Sequence, residues 1–381
     1  MRWDKLFDWG KRPACAPAQR ERKPGASESR IAATTSLYFE MKLFAGLLLI
    51  FALFGPAAAQ DTPPIGIVDL FGLRSVTEQQ VRAALQVKEG DRPPDSRPAF
   101  EQIAQRLKAI PNVEEVSLDF PCCEDGKTIF YVGIREKGAP SLKLRAAPTG
   151  KVRLPAETAG LGSDFFEALE KAVLKGEAAE DDSAGHSFLK NAEARAIQEK
   201  FIGIAARDGQ LLHKVIRTSF DPHDRALAVQ IIAYSADKRK IVSDLVYAMK
   251  DEESLVRNNA ARALWVLALY ARKNPEKKIA VPVAPFVDLL NSVVWTDRNK
   301  SSLALFALTE GRDPALLKML REKALPSLFE MARWKSRGHA FASLVILGRI
   351  AGIPEDEIFD ALKNKTRDAF LEKTKIGISS K

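Results

Sequence analysis

Residues 251–267 read DEESLVRNNAARALWVL, and the fold turns on how they are read. Acidic residues lead into Val256 and Arg257, small Ala260 and Ala261 follow where a second helix could approach closely, and an apolar run completes the segment. The same order recurs upstream in Asp221-Pro-His-Asp-Arg225-Ala-Leu-Ala228. It returns more loosely in Asp297-Arg-Asn-Lys300-Ser-Ser-Leu303-Ala304, and more loosely still in Lys335-Ser-Arg337-Gly-His-Ala340. The basic positions 225, 257, 300 and 337 are 32, 43 and 37 residues apart, steps that point to stacked supersecondary units. Each is followed by a second amphipathic stretch: IVSDLVYAM, APFVDLLNSV, LPSLFEMARW and EDEIFDAL. A helix pair cannot bury both apolar faces alone, so neighbouring pairs must stack.

The pattern of Asp before the helix, Val and Arg in its first turn, then Ala and Leu resembles HEAT repeats, with 251–267 the best match. The resemblance implies an α-α solenoid over 221–365, extended by the helical region 156–220, with a concave surface for a protein or peptide partner. It also implies that Arg225 and Arg257 pair with the Asp of their own or the next repeat. As partner-binding candidates we carry Arg225, Arg257 and the once-per-unit tryptophans Trp265, Trp295 and Trp334. The tryptophans fit a core position or an anchor in a groove. The basic tail 366–381 reads as a solvated helix end.

Ahead of the repeats, helices are expected at Gly162–Leu174 and Ala192–Ala206. Between them Asp181, Asp182 and His186 lie in the densest cluster of reactive side chains. Carboxylates and a histidine can hold a divalent cation or do acid/base work; a solvated loop that caps a neighbouring helix fits the same composition. Residues 138–155, with three prolines and no period, read as a linker.

Residues 65–137 alternate strand and helix signals in the order β-α-α-β-β. Ile65–Phe71 is a strand ending at Gly72, Ser75 to Glu78 fits a capping box, and Phe100, Ile103, Ala104 and Leu107 mark a second helix. Val113–Phe120 and Thr128–Glu136 then form a hairpin turned by Asp125-Gly126. SVTEQQVRAAL, VKEGD, IAQRLKAIPNVEEV and IFYVGIREK together resemble a POTRA domain, which implies a small sheet whose edge could accept a partner strand. Cys122 and Cys123, adjacent in the hairpin, are open to a vicinal disulfide, an intermolecular bridge or two free thiols.

MKLFAGLLLIFALFGPAAAQ at 41–60 has the charged start, apolar run and small-residue cleavage site of a secretion signal. Cleavage of the signal at 41–59 would leave Gln60 as the new N-terminus and place the protein in the periplasm or outside the cell. Residues 1–40, polar, Pro-rich and without period, read as a non-native or disordered extension from an upstream start codon, with translation beginning at Met41. The rival is an uncleaved membrane anchor. The whole chain of 381 residues carries net charge +9. Residues 1–59 hold 9 of the 58 Lys and Arg and 5 of the 49 Asp and Glu, so the remainder carries 49 against 44, or +5. That balance gives no reason to expect a nucleic-acid partner. No phosphate loop, H-E-x-x-H or G-x-S-x-G motif is present and no cofactor is expected. The expectation is a mainly α protein, a HEAT-like solenoid behind a small POTRA-like domain, acting as a non-enzymatic adaptor or scaffold in the cell envelope. The alternative is a metal-binding protein or enzyme centred on residues 180–187.

Overall fold

The computed structural model describes residues 63–121, 124–364 and 366–379. The expectations for 1–59, including the signal, and for Cys122 and Cys123 lie outside them. Within that range the protein is mainly helical, with a small three-stranded mixed sheet near the start.

The sheet is built from β1 (Ile65–Phe71), β2 (Val113–Asp119) and β3 (Thr128–Glu136), with α1 (Glu78–Leu85) and α2 (Arg97–Lys108) between β1 and β2. β3 is central, parallel to β1 and antiparallel to β2. Asp125 and Gly126 both adopt positive φ, 51° and 73°, and close the β2–β3 connection, as a type I′ turn requires. The capping box falls two residues later than expected. Thr77 caps α1 with Gln80 as its reciprocal partner, because Ser75 is taken by Glu136. That carboxylate receives N–H groups from Arg74, Ser75 and Val76 as well as the Ser75 hydroxyl.

From residue 156 onward, one short β hairpin apart, the described elements are helices packed on one another. α3 (Ala156–Leu174) leads through the short hairpin β4 (Glu180–Asp181) and β5 (Phe188–Leu189) to α4 (Ala192–Arg207) and α5 (Gly209–Thr218). One row then comprises α6 (Pro222–Ile232), α8 (Ser254–Lys273), α10 (Trp295–Leu308) and α12 (Arg337–Ala351), each packed on the next. Against these lie α5, α7 (Lys238–Ala248), α9 (Ala284–Leu289) and α11 (Pro314–Ala332). α13 (Glu355–Lys363) and α14 (Arg367–Ser379) finish on α12. The tail is therefore no solvated end, since Phe370, Leu371 and Thr374 are buried. α12 is buried from His339 to Ala351 because it is covered by α10, α11, α13 and α14.

The stretch 138–155 is not a free linker. Together with the sheet it runs along the starts of the first-row helices in reverse order. Lys335, before α12, donates its N–H to Asp69 Oδ2 at 2.8 Å and its Nζ to Val68 O at 3.0 Å. The Trp295 N–H at the start of α10 meets Asp119 Oδ2 at 3.3 Å. Arg145 donates its N–H to Lys250 O at 2.7 Å beside α8, and Gly150 O accepts the Phe220 N–H at 2.8 Å beside α6. Arg153 and the Leu154 N–H end the strap on Asp224.

Two glycines mark where the sheet and the strap approach the helical part most closely. A Cβ on Gly133 would lie 1.9 Å from Val293 O, and one on Gly150 would lie 2.4 Å from Thr218 O. Both neighbours are backbone and cannot swing aside. Gly133→Ala and Gly150→Ala are each expected to lower unfolding free energy by about 1–3 kcal/mol, as overpacking does, measured by urea denaturation. An unchanged midpoint in both would show that the strap is not in close contact.

Candidate functional site

Three buried arginines form a ladder along the first row of helices. Arg225, Arg257 and Arg298 each occupy the fourth residue of their helix, in α6, α8 and α10. Each reaches back to the carbonyl six residues before it: Ser219, Asp251 and Ser292. Each also spans forward to a carboxylate. Arg225 grips Asp251 at 2.8 and 2.9 Å, Arg257 grips Asp297 at 2.8 and 3.0 Å, and Arg298 meets Glu330 at 2.8 Å. Arg225 and Arg257 thus face an acid at the start of the following first-row helix from inside the core, at 0 % and 2 % exposure. Lys300 does not belong to this series; the equivalent position is Arg298, because it is the fourth residue of α10 and its guanidinium makes the backward carbonyl and forward carboxylate contacts. Ala340 holds the fourth position of α12, where the series ends.

Removing one partner of such a pair strands a charge in the core. Asp297→Asn is expected to destabilise the fold by about 3–5 kcal/mol, and Arg257→Met/Asp297→Leu by much less. A double-mutant cycle on unfolding free energies measures the difference, and near-additive losses would contradict a coupled pair.

The sheet docks on the same edge through one rung. In register, Asp69, Tyr131 and Asp119 lie side by side across β1, β3 and β2. The two carboxylates meet the N–H groups of Lys335 and Trp295, and the Tyr131 hydroxyl pairs with His339 Nδ1 at 2.9 Å. Tyr131 stacks on Trp295 with centroids 5.3 Å apart, and Phe71 packs edge-on to Trp334 at 5.8 Å. Burial raises the pKa of both carboxyls, and hydrogen bonds from Lys335 and Ser117 only partly offset it. Trp295 and Trp334 are therefore engaged by the chain's own sheet. Trp265 is half-buried in the helical core. The third ladder pair is shared with the sheet, since Glu330 also accepts the Gly72 N–H at 2.9 Å.

The 180–187 cluster is dispersed. Asp181 accepts the Ser183 N–H at 3.0 Å, Asp182 accepts the Ser187 hydroxyl, and Glu180 pairs with Arg262. His186 turns away from them, with Nδ1 at 2.9 Å from Lys238 Nζ, which also donates to Ala233 O. Among the described residues no group of three or more His, Cys, Asp or Glu converges as metal ligands. Lys238 donates to the ring, so the imidazole is neutral with its hydrogen on Nε2. Burial and the Lys238 cation push the His186 pKa down to about 4, and burial brings Lys238 down to about 8. The sequence held no cue to Lys238, because its partner lies 52 positions away.

Both depressed values carry a sign. The folded state favours neutral His186, so its contribution is present above the free value of 6.5 and is lost as pH falls toward about 4. Lys238 loses its contribution between 10.5 and about 8. Melting curves recorded from pH 7 to 4 should therefore decline more steeply in the native protein than in His186→Gln. Identical slopes would remove His186 as the cause.

No protein-family model matches the chain, and no curated protein matches it.

Proposed function

We propose that the protein is a non-enzymatic scaffold of the bacterial cell envelope, a HEAT-like solenoid carrying a POTRA-like sheet, exported by the signal at 41–59. The observation that supports it best is the arginine ladder. Helices related by the same buried contact at the same register are what stacked repeats require. Such stacks act through extended surfaces rather than enclosed pockets. The β-α-α-β-β order and the mixed sheet support the POTRA-like part. No helix among the described residues is long and apolar enough to cross a membrane.

Because the edge at the helix starts is covered by the sheet and strap, the partner surface in this reading is the open helical faces. Phe166 and Ile202, 44 % and 43 % exposed on α3 and α4, are the apolar contacts it offers there. Photo-crosslinkers at these two positions should capture one common protein from intact cells, whereas one at buried Trp334 should capture none. Absence of any adduct across the exposed helical faces would rule out the scaffold. Export is tested separately by N-terminal sequencing of the native protein, expected to start at Gln60; a start at Met1 argues against it.

A further inference from the structure

Between the β4–β5 hairpin, the first turn of α4 and the last turns of α8 lies an open cleft of about 480 Å³. This size falls within the range of about 300–1,000 Å³ typical of small-ligand sites. Leu269 and Tyr270 supply its apolar part, and three acidic and three basic side chains line the rest. Two of these charges are satisfied from outside the cleft: Glu180 by Arg262 and Arg195 by Glu199 at 3.1 Å. What remains is Asp181 and Asp182 with Lys190 and Lys273, two of each sign. Neither lysine has a carboxylate within ion-pair distance among the described residues.

The cleft wall is fixed from behind. Gln198, 1 % exposed, accepts the Leu189 N–H at 2.8 Å and donates to Ser187 O at 3.1 Å. The Tyr234 hydroxyl donates to Ser187 O at 2.8 Å and accepts from Gln198 Nε2 at 2.8 Å. Gly185, at φ +73°, lets Tyr270 lie against the loop, since a Cβ there would come within 3.0 Å of its ring. A hairpin so held presents its charges with little ordering left to do on binding.

We propose that this cleft binds a short zwitterionic peptide, with Asp181 and Asp182 receiving its ammonium, Lys190 and Lys273 its carboxylate, and Leu269 and Tyr270 the chain between. A lone anion or cation would engage only one of the two charge pairs, whereas a ligand carrying both charges at its ends engages all four. This inference does not rest on the scaffold reading and needs no metal.

Isothermal titration of the full chain with trialanine, N-acetyl-trialanine and trialanine amide tests it. Trialanine should bind one-to-one, and each blocked peptide should bind roughly tenfold or more weakly, as loss of charge-assisted hydrogen bonds predicts. In Asp181→Asn/Asp182→Asn, acetylation should cost nothing further; in Lys190→Gln/Lys273→Gln, the same should hold for amidation. Circular dichroism and the melting midpoint check that both variants stay folded. No saturable binding of trialanine, equal affinity for all three peptides, or unchanged discrimination in the folded variants would each overturn the proposal.

Discussion

Two carboxylates on one sheet rung, Asp69 and Asp119, accept N–H groups at the starts of two neighbouring helices, and the architecture follows from that docking. A helix start leaves N–H groups without intrahelical partners, and covering it with an apolar sheet face would strand them at a cost of several kcal/mol. The sheet supplies acceptors where they are needed. Tyr131 between them then has room to stack on Trp295 and reach His339, so one short stretch of β3 is buried on both faces. The opposite face packs Phe130, Val132 and Ile134 against α1 and α2 in a separate core.

The arginine ladder and the strap are one system. Asp251 is held by Arg225 and approached by Arg145 of the strap, Asp224 by Arg153, and Glu330 by both Arg298 and the Gly72 N–H. A buried charge pair is a weak source of net stability but a strict judge of alignment, since a shift of one helical turn would leave both charges alone. The repeated pairing therefore sets the spacing between helices, and the N-terminal segment reads that spacing off along its whole length.

Much of this was legible in the sequence. Local signals are strong where the residues report their own neighbours: Asp125-Gly126 fixes a turn, the spacing of Phe100, Ile103 and Leu107 fixes a helix face, and Val256-Arg257 with its small residues fixes a packed helix start. The errors share a physical origin. Residues 138–155 look like a linker because nothing in them is periodic, yet their backbone groups find partners 70 to 105 positions away. Ser75 looks like a cap because the glutamate that claims it lies in another strand. The tail seems too polar to pack, but Phe370 and Leu371 suffice once α12 is beside them. The charged loop was visible as a cluster, whereas Lys238 and the cleft formed with α8 were not, because both depend on contacts made in three dimensions.

The reversed course of the first ninety described residues along the helix starts has a consequence for biosynthesis. Asp69 is separated from the Lys335 N–H by 266 positions, and Tyr131 from His339 by 208. Residues of the sheet leave the ribosome well before the helices that seat them, and closing such long loops is entropically slow. The nascent sheet must wait with Phe71 and Tyr131 uncovered until α10 and α12 emerge, a period in which a holding chaperone would find an apolar surface to grasp.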